Sequence, residues 1–146
     1  MTDALFERPS RLYAIGDTHG CKNELVQLLD KIAPYIREQD YLVFLGDYVD
    51  RGPDSKGVID VVINLLKTRP NTYALIGNHE DMMLSGDYWL QNGGVETLKS
   101  YGVDVNDYYT IHGGNIKRCI PDDHWEFLNG LKYTFQVGRV VCVHAS

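Results

Sequence analysis

The chain has 146 residues, 44% of them hydrophobic, enough to bury one domain's core but not two comfortable ones. Lys+Arg 14 against Asp+Glu 20 gives a formal charge of -6 with no local basic cluster, which argues against a nucleic-acid partner. No apolar run approaches the roughly 20 residues of a membrane span, Met1 to Pro9 lacks a signal peptide's apolar core, and Cys21, Cys119 and Cys142 show no CxxC spacing; the expectation is a cytoplasmic protein with reduced thiols and no membrane partner.

The first apolar stretch, Arg11-Leu12-Tyr13-Ala14-Ile15, reads as a buried strand and runs into Gly16-Asp17-Thr18-His19-Gly20. Leu25, Leu28, Leu29 and Ile32 then fall at helical spacing, and Pro34 stands where that helix should end. A second strand, Tyr41 to Leu45, leads into Gly46-Asp47-Tyr48-Val49-Asp50-Arg51-Gly52, where two carboxylates and a guanidinium crowd a strand end. Taken alone, these three charges pair with one another as readily as they form a site. Ser55 is the expected N-cap of the next helix, whose apolar face is Val58, Val61, Val62, Leu65 and Leu66 and whose close is Arg69-Pro70. A third strand, Thr72 to Ile76, runs into Gly77-Asn78-His79-Glu80 and a short helix over 79–85, in which Glu80 reads as a first-turn carboxylate favoured by the helix dipole. Three apolar strands, each followed by glycine and metal-ligand residue types, make a site.

The stretch from Gly86 to Pro121 is less legible. Short helices are expected over 87–91 and 95–101, around the loop signal Asn92-Gly93-Gly94, and an irregular segment over 107–110. Pro121-Asp122-Asp123-His124 reads as a helix start with Trp125, Leu128 and Leu131 at core spacing. A hairpin is expected over 133–137 and 140–143, turning at Gly138-Arg139 and ending in His144-Ala145-Ser146. Tyr48, Tyr108 and Tyr109 are expected as exposed loop aromatics, and His112 and His124 as loop and helix-face residues, not ligands.

Strands alternating with helices imply crossovers and a largely parallel sheet. The three glycine turns then meet at the carboxyl ends of the strands, where open α/β folds bind ligands. Asp17 and His19 can aim at one cation, and carboxylate with imidazole suits Mn²⁺, Fe or Zn²⁺ better than Ca²⁺. Asp47 is the candidate bridge, because its two oxygens can serve two ions; Asn78 and His144 add a neutral oxygen and a neutral nitrogen. Two divalent ions about 3.5–4 Å apart lower the pKa of a bridging water and clamp an in-line phosphoryl displacement. The expected reaction is hydrolysis of a phosphate ester by an activated hydroxide. His79 is placed as the general acid for the leaving alcohol. Asp50 is placed as the acceptor that fixes its ring, and Arg51 as the fork that holds phosphate oxygens.

Gly16-Asp17-x-His19-Gly20, Gly46-Asp47-x-x-Asp50-Arg51-Gly52 and Gly77-Asn78-His79-Glu80, in this order, resemble the phosphoprotein phosphatase family of calcineurin-like metallophosphoesterases. Val143-His144-Ala145 resembles the start of that family's fourth motif, so the resemblance covers the chain from about Arg11 onward. It implies an α/β fold of the αββα sandwich kind and a dinuclear metal site. In it Asp17, His19 and Asp47 would hold one ion and Asp47, Asn78 and His144 the other. Asp50 and His79 would form the acid pair, and Arg51 would hold phosphate.

Two departures from the family pattern stand out. The family's last metal-binding histidine, in a glycine-histidine-threonine motif, falls beyond Ser146, so residues 1–146 are expected to be the N-terminal part of a single catalytic domain. Ile76 stands where many members carry a phosphate-binding arginine, which implies a weaker grip on substrate and a bacterial or phage-type branch. The leading expectation is a serine/threonine protein phosphatase acting on a phosphorylated protein or small phosphoester. A symmetrical bis(5'-nucleosyl)-tetraphosphatase-like hydrolase is the alternative; that branch tends to show alanine-arginine-glycine and a later aspartate where this chain has Asp50-Arg51-Gly52 and Glu80. A non-catalytic metal-binding module is the reading from another class.

Overall fold

The computed structural model describes residues 10–145. Its first half alternates strand and helix: β1 (Leu12–Ile15), α1 (Lys22–Ile32), β2 (Tyr41–Phe44), α2 (Ser55–Thr68), β3 (Thr72–Ala74) and α3 (Asn78–Ser85). The strands form a parallel sheet in the order β1-β2-β3, with Leu12 opposite Tyr41 and Leu42 opposite Thr72. The second half adds α4 (Gly94–Ser100), α5 (Val105–Thr110) and α6 (Asp122–Gly130), then an antiparallel hairpin of β4 (Thr134–Val137) and β5 (Val140–Val143).

Period-two alternation along β2 divides the core. Leu42 and Phe44 point into the larger cluster with Val58, Ile59 and Val62 of α2 and Leu25 of α1. Val43 points the other way, against Leu75 and Cys142, with Leu12, Leu45 and Phe135 at the margin. Helices therefore cover one face of the parallel sheet and the hairpin covers the other, so a second β layer lies where a doubly wound fold would carry helices, as the αββα resemblance implies. Among the described residues no helix is long and apolar enough to cross a membrane, and all three cysteines are free thiols.

Several local expectations are corrected. The cap of α2 is Asp54, whose Oδ1 accepts from the Gly57 N–H at 2.8 Å; Ser55 is the first helical residue, and its buried hydroxyl meets Thr97 Oγ1 at 3.0 Å. The helix expected over 87–91 is a single 3₁₀ turn, Leu90–Asn92, closed by Gly93 at φ +106°. The segment expected to be irregular over 107–110 lies in α5, because Asp104 accepts from the Asp107 N–H at 2.8 Å and starts a helix. Tyr48 and Tyr108 are buried, not exposed. The Tyr48 hydroxyl donates to Leu75 O at 2.7 Å, which makes it a core residue joining the second turn to the third strand. Tyr109 is exposed as expected. His124 lies buried on α6, between the Tyr101 hydroxyl at 2.7 Å and Asp60 Oδ1 at 2.9 Å.

Candidate metal and phosphate site

The three glycine turns touch one another at the carboxyl edge of the sheet. Asp47 O accepts from the N–H of Thr18 and His19, and Tyr48 O accepts from Gly20 N–H. Such close approach needs glycine: a Cβ on Gly46 would stand 2.5 Å from Gly77 N, and one on Gly77 would stand 2.1 Å from Asp47 Oδ1. Four non-glycine residues of these turns carry positive φ: His19 at 39°, Asp47 at 55°, Asp50 at 73° and Arg51 at 66°. Each such conformation costs on the order of 1–3 kcal/mol and persists only where surrounding contacts enforce it.

One side chain supplies much of that enforcement. Glu80 is fully buried, and its carboxylate accepts four backbone N–H groups: Asp47 at 2.8 Å and Gly77 at 2.9 Å on Oε2, Tyr48 at 2.8 Å and Val49 at 3.2 Å on Oε1. Burial pushes its carboxyl up to about 7, with the neighbouring Asp47 carboxylate acting in the same direction and the backbone N–H donors against it. The bond to Gly77 N–H is the helix-start role read from sequence. The other three bonds, to the second turn, have no sequence signal, because they span 31 to 33 positions.

The candidate ligands converge on Asp47. Its Oδ2 lies 3.4 Å from His19 Nε2, and its Oδ1 lies 3.6 Å from His144 Nε2. Asp17 Oδ2 is 3.9 Å from His19 Nε2, and Asn78 Oδ1 is 2.9 Å from His144 Nε2. Among the described residues two groups have donor atoms within 4.8 Å of one another: His19, Asp47 and His79, and Asp17, Asp47 and His144. The donor chemistry fits divalent cations. His19 Nδ1 meets Val49 O at 2.8 Å and His144 Nδ1 meets Leu45 O at 3.0 Å, so each Nδ1–H is donated to the backbone and each Nε2 lone pair faces inward. The His144 lone pair then faces the Asn78 carbonyl oxygen, two acceptors that could be held by one shared cation.

The two residues expected as the acid pair lie alongside. His79 and Asp50 are both buried, with Nδ1 2.7 Å from Oδ2. Burial pushes the Asp50 carboxyl upward, and hydrogen bonds from His79, Thr97 and Trp89 pull it back. Arg51 reaches across the mouth of the site, placing Nη1 3.1 Å from His19 Nε2 and Nη2 3.0 Å from His79 Nε2. All eight candidates read from sequence, Asp17, His19, Asp47, Asp50, Arg51, Asn78, His79 and His144, thus stand in one cluster. Ile76 lines a neighbouring hollow with Tyr133, Asn78 and His144. Trp89 and Thr97, which grip Asp50, come from the stretch that was less legible in sequence, where no spacing marks either one as a partner of Asp50.

Comparison with known proteins agrees with this architecture. A bis(5'-nucleosyl)-tetraphosphatase of the asymmetrical kind from Oceanobacillus iheyensis is 39% identical over 57% of this chain and 37% of its own length. Serine/threonine-protein phosphatase 1 of Salmonella typhimurium is 37% identical over 57% and 38%. A symmetrical bis(5'-nucleosyl)-tetraphosphatase of Buchnera aphidicola is 33% identical over 90% and 51%. The matches thus span about half the length of these curated relatives or less. Among solved structures, a putative diadenosine tetraphosphatase superposes with a TM-score of 0.61 and 26% identity, over 92% of this chain and 50% of that one. The family model for calcineurin-like phosphoesterases matches residues 10–142, taking in the three glycine turns and most of the hairpin. The parallel strands, their three glycine turns and this match together place the chain in the calcineurin-like phosphoesterase family.

Proposed function

We propose that the chain carries the catalytic centre of a metal-dependent phosphomonoesterase that acts on serine/threonine phosphoproteins. The observation that carries this reading is the placement of the Asp47 oxygens, one facing His19 and the other facing His144. Asp17, His19 and Asp47 would hold one divalent ion and Asp47, Asn78 and His144 a second. Mn²⁺ is the leading candidate, with Fe and Zn²⁺ compatible with the same donors. Two such ions, when bound, supply an activated water and charge neutralisation for in-line displacement at phosphorus.

The chain's own residues complete the chemistry. The Arg51 fork binds two phosphate oxygens. Asp50 anchors the His79 ring through Nδ1, so that a proton carried on Nε2 is aimed at the leaving oxygen. The pairing of His79 with a carboxylate in the second turn is what favours the phosphoprotein reading. A tetraphosphatase activity is the second reading, supported by the relatives of that kind.

The test is metal content of the purified chain by elemental analysis, beside Mn²⁺-dependent hydrolysis of p-nitrophenyl phosphate, a phosphoseryl peptide and diadenosine tetraphosphate. Metal-dependent turnover favouring the phosphopeptide is expected. Preference for the dinucleotide selects the second reading. If residues 1–146 turn over none of the three, the same assay on a chain extended past Ser146 decides: turnover there keeps the enzyme reading, and none there overturns both and leaves a non-catalytic metal-binding module.

A further inference from the structure

Asp50 is held by more than His79. The Trp89 indole N–H donates to Asp50 Oδ1 at 2.9 Å, and the Thr97 hydroxyl donates to the same oxygen at 2.8 Å. The Asp50 backbone N–H in turn donates to Thr97 Oγ1 at 2.8 Å and to Ser55 Oγ at 3.1 Å. Trp89, Thr97 and Ser55 are all buried. The same segment reaches the next residue, since Arg51 N–H donates to Gly93 O at 3.3 Å. A Cβ on Gly93 would stand 2.8 Å from Arg51 N.

We infer that Trp89 and Thr97 are positioning residues of the acid pair, locking the Asp50 carboxylate so that only Oδ2 is presented to His79. The argument is one of valence. An ionised carboxylate only accepts, and Oδ1 already receives two donors from two separate elements, the turn before α4 and α4 itself. A carboxylate fixed at one oxygen cannot rotate about its Cβ–Cγ bond without breaking both. Asp50 also sits at φ +73°, a conformation that relaxes unless its N–H is held, and Thr97 accepts that N–H with the same hydroxyl that donates to Oδ1. Outer partners of this kind commonly alter function about 10–100-fold when removed. The bland alternative is that Trp89 and Thr97 merely fill space; Trp89 also packs edge-on against Tyr108 at 6.1 Å between ring centroids.

The inference rests on the proposed acid role of His79, yet its first test needs no turnover. In the purified chain with ¹⁵N-labelled histidine, the His79 Nδ1–H signal reports the bond to Asp50. Thr97→Val keeps the side-chain volume and removes the hydroxyl, Thr97→Ser keeps the hydroxyl, and Trp89→Phe removes only the indole donor and some bulk. With the amide spectrum otherwise native, Thr97→Val and Trp89→Phe are expected to shift or broaden that signal through exchange with water, and Thr97→Ser to restore it. An unchanged signal in a folded Thr97→Val chain overturns the inference, whatever the hydrolysis assay shows. If Trp89→Phe does not fold, the Thr97 pair decides alone. Where the wild-type chain hydrolyses phosphate esters, a second readout separates positioning from packing. An alkyl phosphate needs its leaving oxygen protonated, whereas nitrophenolate leaves unaided. Thr97→Val should therefore lower kcat about 10–100-fold on the alkyl ester with much less effect on p-nitrophenyl phosphate. Equal loss on both substrates indicates a merely structural role. Absence of wild-type turnover counts against the proposed function and leaves the NMR result to stand by itself.

Discussion

At the scale of single residues, the two carboxylates Asp47 and Glu80 do opposite work. Asp47 presents both oxygens to candidate ligands, and Oδ1 also accepts the His79 N–H at 3.0 Å. Asp47→Asn keeps the shape and removes the charge and one acceptor. It is expected to abolish metal retention and turnover together, read by elemental analysis and the p-nitrophenyl phosphate assay. Retained turnover in that variant would sink the two-metal proposal. Glu80 faces inward instead, and its four N–H donors make a sharp prediction. A carboxylate that only favoured the dipole of α3 would be worth about 0.3–1 kcal/mol. Glu80→Gln turns one oxygen into an NH₂ group facing two buried N–H donors, each left unsatisfied at about 1–3 kcal/mol, so a loss of about 2–6 kcal/mol is expected in urea denaturation. A loss below about 1 kcal/mol would return Glu80 to the dipole role.

At the scale of elements, the strand-glycine-helix units were legible because each is local. An apolar run, a glycine and an amphipathic spacing lie within about twenty residues and need no knowledge of the rest of the fold. Within 86–121 the helix expected over 95–101 stands as α4, but the roles of Trp89 and Thr97 were not legible, because Asp50, which each reaches, lies 39 and 47 positions away. Caps misread by one residue, such as Asp54 for Ser55, reflect two polar side chains competing for a single helix start. Gly77 has φ -99°, which any residue adopts. Its requirement is space, as Asp47 Oδ1 and Asp47 N lie 2.1 and 2.4 Å from where a Cβ would be. Gly77→Ala must therefore push the second turn away, and a loss of about 1–3 kcal/mol together with lost metal retention is expected. Gly130→Ala, at the last residue of α6 and with nothing within 4 Å of its Cβ position, should instead gain about 0.4–1 kcal/mol from a less flexible unfolded chain. Thermal or urea melts of the two variants side by side check the contrast, and equal effects would show that the turns are not in tight contact.

At the scale of the whole molecule, the sheet has two unlike ends. The carboxyl end gathers carboxylates and imidazoles, whereas the amino end is stitched by arginines. Asp40, fully buried just before β2, accepts from the Arg11 N–H at 2.8 Å, from Arg37 Nη2 at 2.8 Å and from the Arg37 N–H at 2.9 Å. Arg69, just after α2, donates to the carbonyls of Arg37 and Asp40 at 2.8 and 2.9 Å, so one knot joins the approaches to β1 and β2 with the end of α2. The Arg37 guanidinium holds the Asp40 carboxyl well below its usual range, with burial opposing and the backbone N–H groups of Arg11 and Arg37 assisting. A carboxyl whose folded value is depressed binds fewer protons in the native state than in the unfolded one. Its contribution is therefore complete above the ordinary aspartate value of about 3.9 and is lost as pH falls toward the folded value. Wild-type stability alone does not isolate Asp40 from the chain's other carboxylates. Asp40→Asn does, because it removes this titration and leaves the distant site intact. Urea denaturation from about pH 6 down to pH 3 should show a wild-type advantage over the variant that is constant at the upper end and shrinks below about pH 4. A gap independent of pH would mean that Asp40 contributes shape and hydrogen bonds but that its charge is not what the arginines hold.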